Sequence, residues 1–135
     1  MSKAERAIVI ILRVIGIAGL FATPAIFLPF SWMDAIHGWL GLGELPDVPI
    51  VRYLARSLSA FYAVMSVLIL YLSHDVRRHR GLLKLWCMLA ILFGFTLWGI
   101  GWEAGLPNSW TLAEGPPAVL IGFVVLWLQR KLDVH

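Results

Sequence analysis

The stretch LARSLSAFYAVMSVLILYLSHDVRRHR, residues 54–80, governs the reading of the whole chain. From Leu54 to Leu72 it is predominantly apolar, and from His74 it turns into a run of basic and polar residues. An α-helix rises 1.5 Å per residue, so such a run crosses a hydrocarbon core of roughly 30 Å. Arg77, Arg78 and Arg80 mark the side on which the crossing ends. This is the signature of a transmembrane helix closed by a basic loop.

Composition extends that reading to the full length. Of 135 residues, 60% are hydrophobic and 14% charged, and the mean hydropathy is +0.82, too apolar for a surface kept in water. The expected fold is all-α: one transmembrane domain over residues 1–135, a polytopic four-helix bundle. Its helices are expected at about 7–30, 53–73, 82–102 and 115–129, with a short interfacial helix at about 31–40 between the first two. The basic residues sit at the ends of apolar runs rather than on one face, so they read as topology determinants and exclude nucleic acid as a partner. Cys87, the single cysteine, lies inside an apolar run, where it has no intrachain disulfide partner and packs as a small hydrophobe.

Toward the N-terminus, Ala7 to Phe30 is apolar apart from Arg13 and Thr23. Arg13 is close enough to the helix start for its stem to run back to the headgroups. Pro24 and Pro29 are expected to kink or end the helix. A cleavable signal peptide is the alternative reading; against it, the apolar stretch exceeds the usual h-region and carries a charge. In the next segment Trp32, Ile36, Trp39 and Leu40 share one side, Asp34 and His37 the other. Ser31 is expected to cap this helix, with Asp34 closing a capping-box-like pair.

Along helix 2, Arg52, Arg56, Ser59, Tyr62 or Ala63, and Ser66 form a polar and small-residue stripe that is expected to face protein. Helix 3 carries Gly94, Gly99, Gly101 and Gly105, the last two a G-x-x-x-G pair suited to close helix packing. Pro116-Pro117 is expected near the start of helix 4, which is then short for a full span and must begin earlier or sit in thinned lipid.

Lys3, Arg6, Arg13, Arg77, Arg78, Arg80, Lys84, Arg130 and Lys131 fall on one side of this topology and only Arg52 and Arg56 on the other. The bias predicts that both termini are cytoplasmic. The outer side then collects Asp34, Glu44, Asp47, Glu103 and Glu114 around the two arginines, with His37 nearby. Arg56, a turn deeper than Arg52, is expected to be buried near the membrane edge and to need a carboxylate, with Glu103 and Glu114 as candidates. Such an ion pair ties helix 2 to helices 3 and 4. The same groups, flanked by Tyr62, Trp98 and Trp102, are also the ligand-binding or acid–base candidates of the chain. No metal or cofactor is expected: His74 and His79 belong to the basic loop, His135 to the C-terminus and His37 to the opposite side, so no histidine pair brackets a haem or metal. Phosphate-loop and nucleophile-elbow motifs are absent from the sequence.

The segments Leu40-Gly41-Leu42-Gly43-Glu44-Leu45-Pro46, Tyr53 through Tyr62, Gly105-Leu106-Pro107 and Glu114-Gly115-Pro116 resemble small four-helix bacterial membrane proteins of uncharacterised function grouped with the DoxX-like proteins. That resemblance implies a fold and no activity. In helix count and intramembrane acids the chain is also similar to the sterol-isomerase-like four-helix family, but it lacks that family's histidine and glutamate spacing. Two functional readings follow. The first is a non-enzymatic membrane module, a subunit or a binder of a lipid or small apolar molecule, with a membrane-protein partner or a second copy as further candidate partners. The second is a lipid-modifying or isomerising enzyme using Glu103 and Glu114 as acid and base.

Overall fold

The computed structural model describes residues 1–132, all of whose regular structure is helical. The elements are α1 (Lys3–Leu20), a 3-10 turn (Thr23–Ile26), α2 (Phe30–Trp39), α3 (Pro49–Leu72), α4 (Arg80–Glu103) and α5 (Asn108–Leu132). Four segments are long and apolar enough to cross a membrane: Lys3–Ile26, which joins α1 to the 3-10 turn, and the helices α3, α4 and α5. His135 lies outside the described residues.

Helix ends follow local chemistry. Ser2 Oγ accepts the Glu5 N–H at 3.1 Å, capping α1 through a Ser-x-x-Glu spacing. The first helix does not continue to Phe30: α1 ends at Leu20, and Pro24 sits in the 3-10 turn, where a missing donor and a fixed φ are tolerated. α2 and α4 end alike. Gly41 (φ 77°) and Gly105 (φ 68°) occupy the left-handed position after each helix. The Leu42 and Leu106 N–H groups reach back to the His37 and Gly101 carbonyls, and those of Gly41 and Gly105 to the Gly38 and Trp102 carbonyls. This is the Schellman closure, and Pro107 follows the second one, as helix-ending sequences often arrange. Gly105 is therefore a turn residue and does not pair with Gly101 as a packing motif.

α5 begins two turns earlier than Pro116-Pro117 suggested. Its 25 residues rise about 37 Å, a full span, whereas a start at the prolines leaves too little helix. The two prolines stand inside the helix, where the Leu112 and Ala113 carbonyls lose their usual i+4 donors.

By compactness the chain divides into two units, Met1–Ile11 with Leu72–His135, and Leu12–Tyr71. The first is built on α4 packed against α5. A Cβ placed on Gly94 would lie 2.7 Å from the Gly115 carbonyl oxygen, and one on Gly115 2.7 Å from that of Gly94. One on Gly122 would meet the Cys87 carbonyl at 2.8 Å. Glycine is required at these points because backbone touches backbone. The unit's buried side chains, Ile8, Leu72, Val76, Leu83, Cys87, Val125, Leu128 and Leu132, gather at the end that carries the basic loop. There Arg77 Nε meets Glu5 Oε2 at 2.9 Å, joining the start of α1 to that loop. Cys87 is buried as expected and receives a long contact from the Gln129 amide, 3.8 Å to Sγ. In the second unit Gly16 and Gly19 of α1 face Ser66 and Leu70 of α3.

Candidate functional site

The residues singled out in the sequence fall on both units. Asp34, His37, Arg52, Arg56 and Tyr62 belong to Leu12–Tyr71; Trp98, Trp102, Glu103 and Glu114 belong to the unit that holds α4 and α5.

In the second unit, the acid and the histidine of α2 organise the connection to α3. Asp34 Oδ1 accepts the Leu45 N–H at 2.7 Å, and His37 Nδ1 lies 2.9 Å from the Gly43 carbonyl, to which its N–H tautomer donates. The expected capping pair does not form. α2 begins at Phe30 after Pro29 and makes no side-chain cap, so Ser31 is already inside the helix and Asp34 is free to point at Leu45. Gly41 and Gly43 (φ 86°) let the chain fold back far enough for both bonds.

Arg52 is exposed and pairs with Asp47, Nε to Oδ1 at 3.1 Å, while its guanidinium lies 6.0 Å from the centroid of the Phe30 ring. Arg56 is exposed rather than buried, and its Nη2 donates to the Leu28 carbonyl at 3.2 Å. The physical reason is the α2–α3 geometry: Leu28 lies in the segment after the 3-10 turn, where its carbonyl lacks a helical donor and takes one from arginine. The two arginines share a shallow, open cleft lined by Pro49, Arg52, Tyr53, Arg56 and Ser57. These five positions recur at i, i+3, i+4, i+7 and i+8, so they form one face of α3. Farther along the helix that face carries Ala60, Val64 and Val67, of which Val64 and Val67 are well exposed. A second shallow cleft lies on α2, lined by Ser31, Trp32, Ala35 and Ile36.

The stripe through Ser59, Tyr62 and Ser66 runs along a different side of α3. Ser59 and Ser66 each donate back to a carbonyl of their own helix, Ala55 at 3.0 Å and Tyr62 at 2.7 Å. Ser66 is buried, against Gly19. That part of the stripe does face protein, whereas its arginine end faces outward.

In the other unit Trp98 stacks on Phe95 with ring centroids 6.4 Å apart, and Trp102 is exposed. Glu103 is the exposed last residue of α4, and Glu114 is half-buried on α5 beside the Gly115 contact. Neither of the two clefts is lined by either glutamate. Among the described residues no group of three or more His, Cys, Asp or Glu is placed to hold a metal ion.

Tyr53, Ser57 and Leu28 are site residues that the sequence reading passes over. Their signal was available: the turn-by-turn spacing that links Pro49 to Ser57 is as regular as the serine stripe, but aromatic and proline positions do not announce themselves as polar. Set against family models, curated proteins and solved structures, the chain matches none of them.

Proposed function

We propose that this chain is a non-catalytic integral membrane module of the bacterial cytoplasmic membrane, with both termini cytoplasmic, that binds a lipid or small apolar molecule on the outer part of α3. The observation that carries this reading is the single helix face on which Arg52, Tyr53, Arg56 and Ser57 open a cleft above the exposed apolar positions Val64 and Val67. Polar groups at one end and an uninterrupted apolar track below match an amphipathic ligand lying parallel to the helix. Acid–base catalysis needs groups converging on a reacting atom, and the cleft presents guanidinium groups and hydroxyls instead.

Native mass spectrometry of the detergent-purified protein tests the reading. A retained lipid or apolar molecule is expected, reduced by Val64→Trp, which fills the track, and unchanged by Glu103→Gln. Protein that carries nothing, or retention that ignores Val64→Trp, overturns it.

A further inference from the structure

The lipid-binding reading just given leaves the chemistry of the polar end open, and the charges on α3 narrow it. Arg52, Arg56 and Asp47 are the charged groups that line or touch the cleft, and together they sum to +1. Arg52 has Nε committed to Asp47 and Arg56 has one N–H committed to Leu28, so most of the ten guanidinium donors of the pair remain for another acceptor. Planar guanidinium forks match the spaced oxygens of a phosphate better than the single oxygen of an alcohol or ketone.

Depth points the same way. α3 has 24 residues and rises about 36 Å; set upright and centred on a hydrocarbon core of roughly 30 Å, it leaves about 3 Å at each end. Arg56 is seven residues past Pro49, about 10 Å along the axis, so its Cα lies below the hydrocarbon boundary while its stem reaches back up to headgroup level. Below it, Ala60, Val64 and Val67 continue the same face into the hydrocarbon. A free anion would use the arginines and leave this track unused; a neutral lipid would use the track and leave the exposed guanidinium donors to water.

We propose that Arg56, assisted by Arg52, holds the phosphate of a phosphodiester lipid whose acyl chain lies along Ala60, Val64 and Val67. A phosphodiester carries a single negative charge and neutralises the cleft, whereas a dianionic phosphomonoester overcompensates it. Arg56 carries the larger share, because Arg52 is already engaged by Asp47 and Phe30.

The test is a native mass-spectrometric titration in neutral detergent with phosphatidylglycerol and with diacylglycerol of the same chains, read by retained adduct. Wild-type protein is expected to prefer phosphatidylglycerol by about tenfold or more, the scale of one or two charge-assisted hydrogen bonds. Arg56→Gln abolishes most of that preference, Arg52→Gln a smaller part, and Val64→Trp lowers both lipids. If wild type retains both lipids alike and only Val64→Trp matters, phosphate recognition is overturned while lipid binding stands. Should neither lipid be retained while the purified protein carries another apolar molecule, phosphate recognition is overturned and the proposed function stands; protein that carries nothing at all overturns both. Displacement of phosphatidylglycerol by equimolar inorganic phosphate assigns the site to a free anion and overturns the lipid source. The wild-type comparison of the two lipids decides the question even if a variant fails to fold.

Discussion

A single methyl group separates the glycines that hold α4 to α5 from those that do not. Gly94→Ala and Gly115→Ala each push a Cβ to 2.7 Å from a carbonyl oxygen of the facing helix, which must move, and each is expected to cost about 1–3 kcal/mol. Gly99 has nothing within 4 Å of an added Cβ, so Gly99→Ala is expected to be neutral or to stabilise by up to about 1 kcal/mol through helix propensity. Thermal melts in detergent, followed by circular dichroism, should rank the variants in that order; equal melting points would mean that the helices are not in backbone contact. Thr111 adds a second case. Its hydroxyl is buried against Gly101 and has no hydrogen-bond partner, so Thr111→Val, which keeps the shape and removes the stranded oxygen, is expected to raise the melting point by the equivalent of about 1 kcal/mol. None of this was legible beforehand. Gly94, Gly99 and Gly101 look alike in a sequence, and only the phase of α4 relative to α5 places two of them in contact and leaves the third open. Arg56 departs from its expected setting for a related reason. The sequence gives its depth, from which a buried setting and a loss of about 3–5 kcal/mol on Arg56→Ala follow, against under about 1 kcal/mol for Arg52→Ala. Its exposure and its one bond to a backbone carbonyl lower the expectation for Arg56→Ala to about 1 kcal/mol, comparable with Arg52→Ala.

Elements were legible where their ends are governed by local chemistry and obscure where length had to be traded against a rule. Gly41 and Gly105 closed α2 and α4 as glycines after helices do, and the run ending at Leu72 stopped at its basic loop. The Pro116-Pro117 pair pulls the expected start of α5 toward residue 115, while the need for some twenty helical residues across a bilayer asks for an earlier start or thinned lipid; the earlier start, at Asn108, is the one found. The α2–α3 connection shows the same competition. A capping rule assigns Asp34 to its own helix with Ser31 as the cap, but the cap position falls two residues earlier, at Pro29, and the carboxylate holds Leu45 instead. Asp34→Ala is therefore expected to leave α2 intact and to loosen residues 40–48. Hydrogen exchange should speed up at the Leu45 amide by roughly tenfold, the equivalent of one charge-assisted bond at about 1.5 kcal/mol, with little change in α2. Faster exchange along α2 itself would show that Asp34 is a cap after all.

At the scale of the whole molecule, the all-α class and four membrane-spanning segments were readable from hydropathy alone, since helices are the natural way for one chain to bury every backbone polar group in lipid. Sidedness is a separate quantity. It rests on lysine and arginine counts, nine residues against two, and the energetic origin of that bias lies in insertion rather than in the packing of the finished fold. The same counts can be tested directly, because Cys87, the native thiol, is fully buried and should be silent to aqueous reagents. Single cysteines at Asn108, in the exposed first turn of α5, and at His79, just before α4, then report opposite faces. A membrane-impermeant maleimide added to intact cells whose outer membrane has been permeabilised is expected to label Asn108→Cys and to spare His79→Cys until the inner membrane is opened. Inverted vesicles should give the converse. If intact cells label His79→Cys, the arginines of the basic loop lie outside, Arg52 and Arg56 move to the cytoplasmic leaflet, and the lipid that α3 meets there is drawn from a different, more anionic pool.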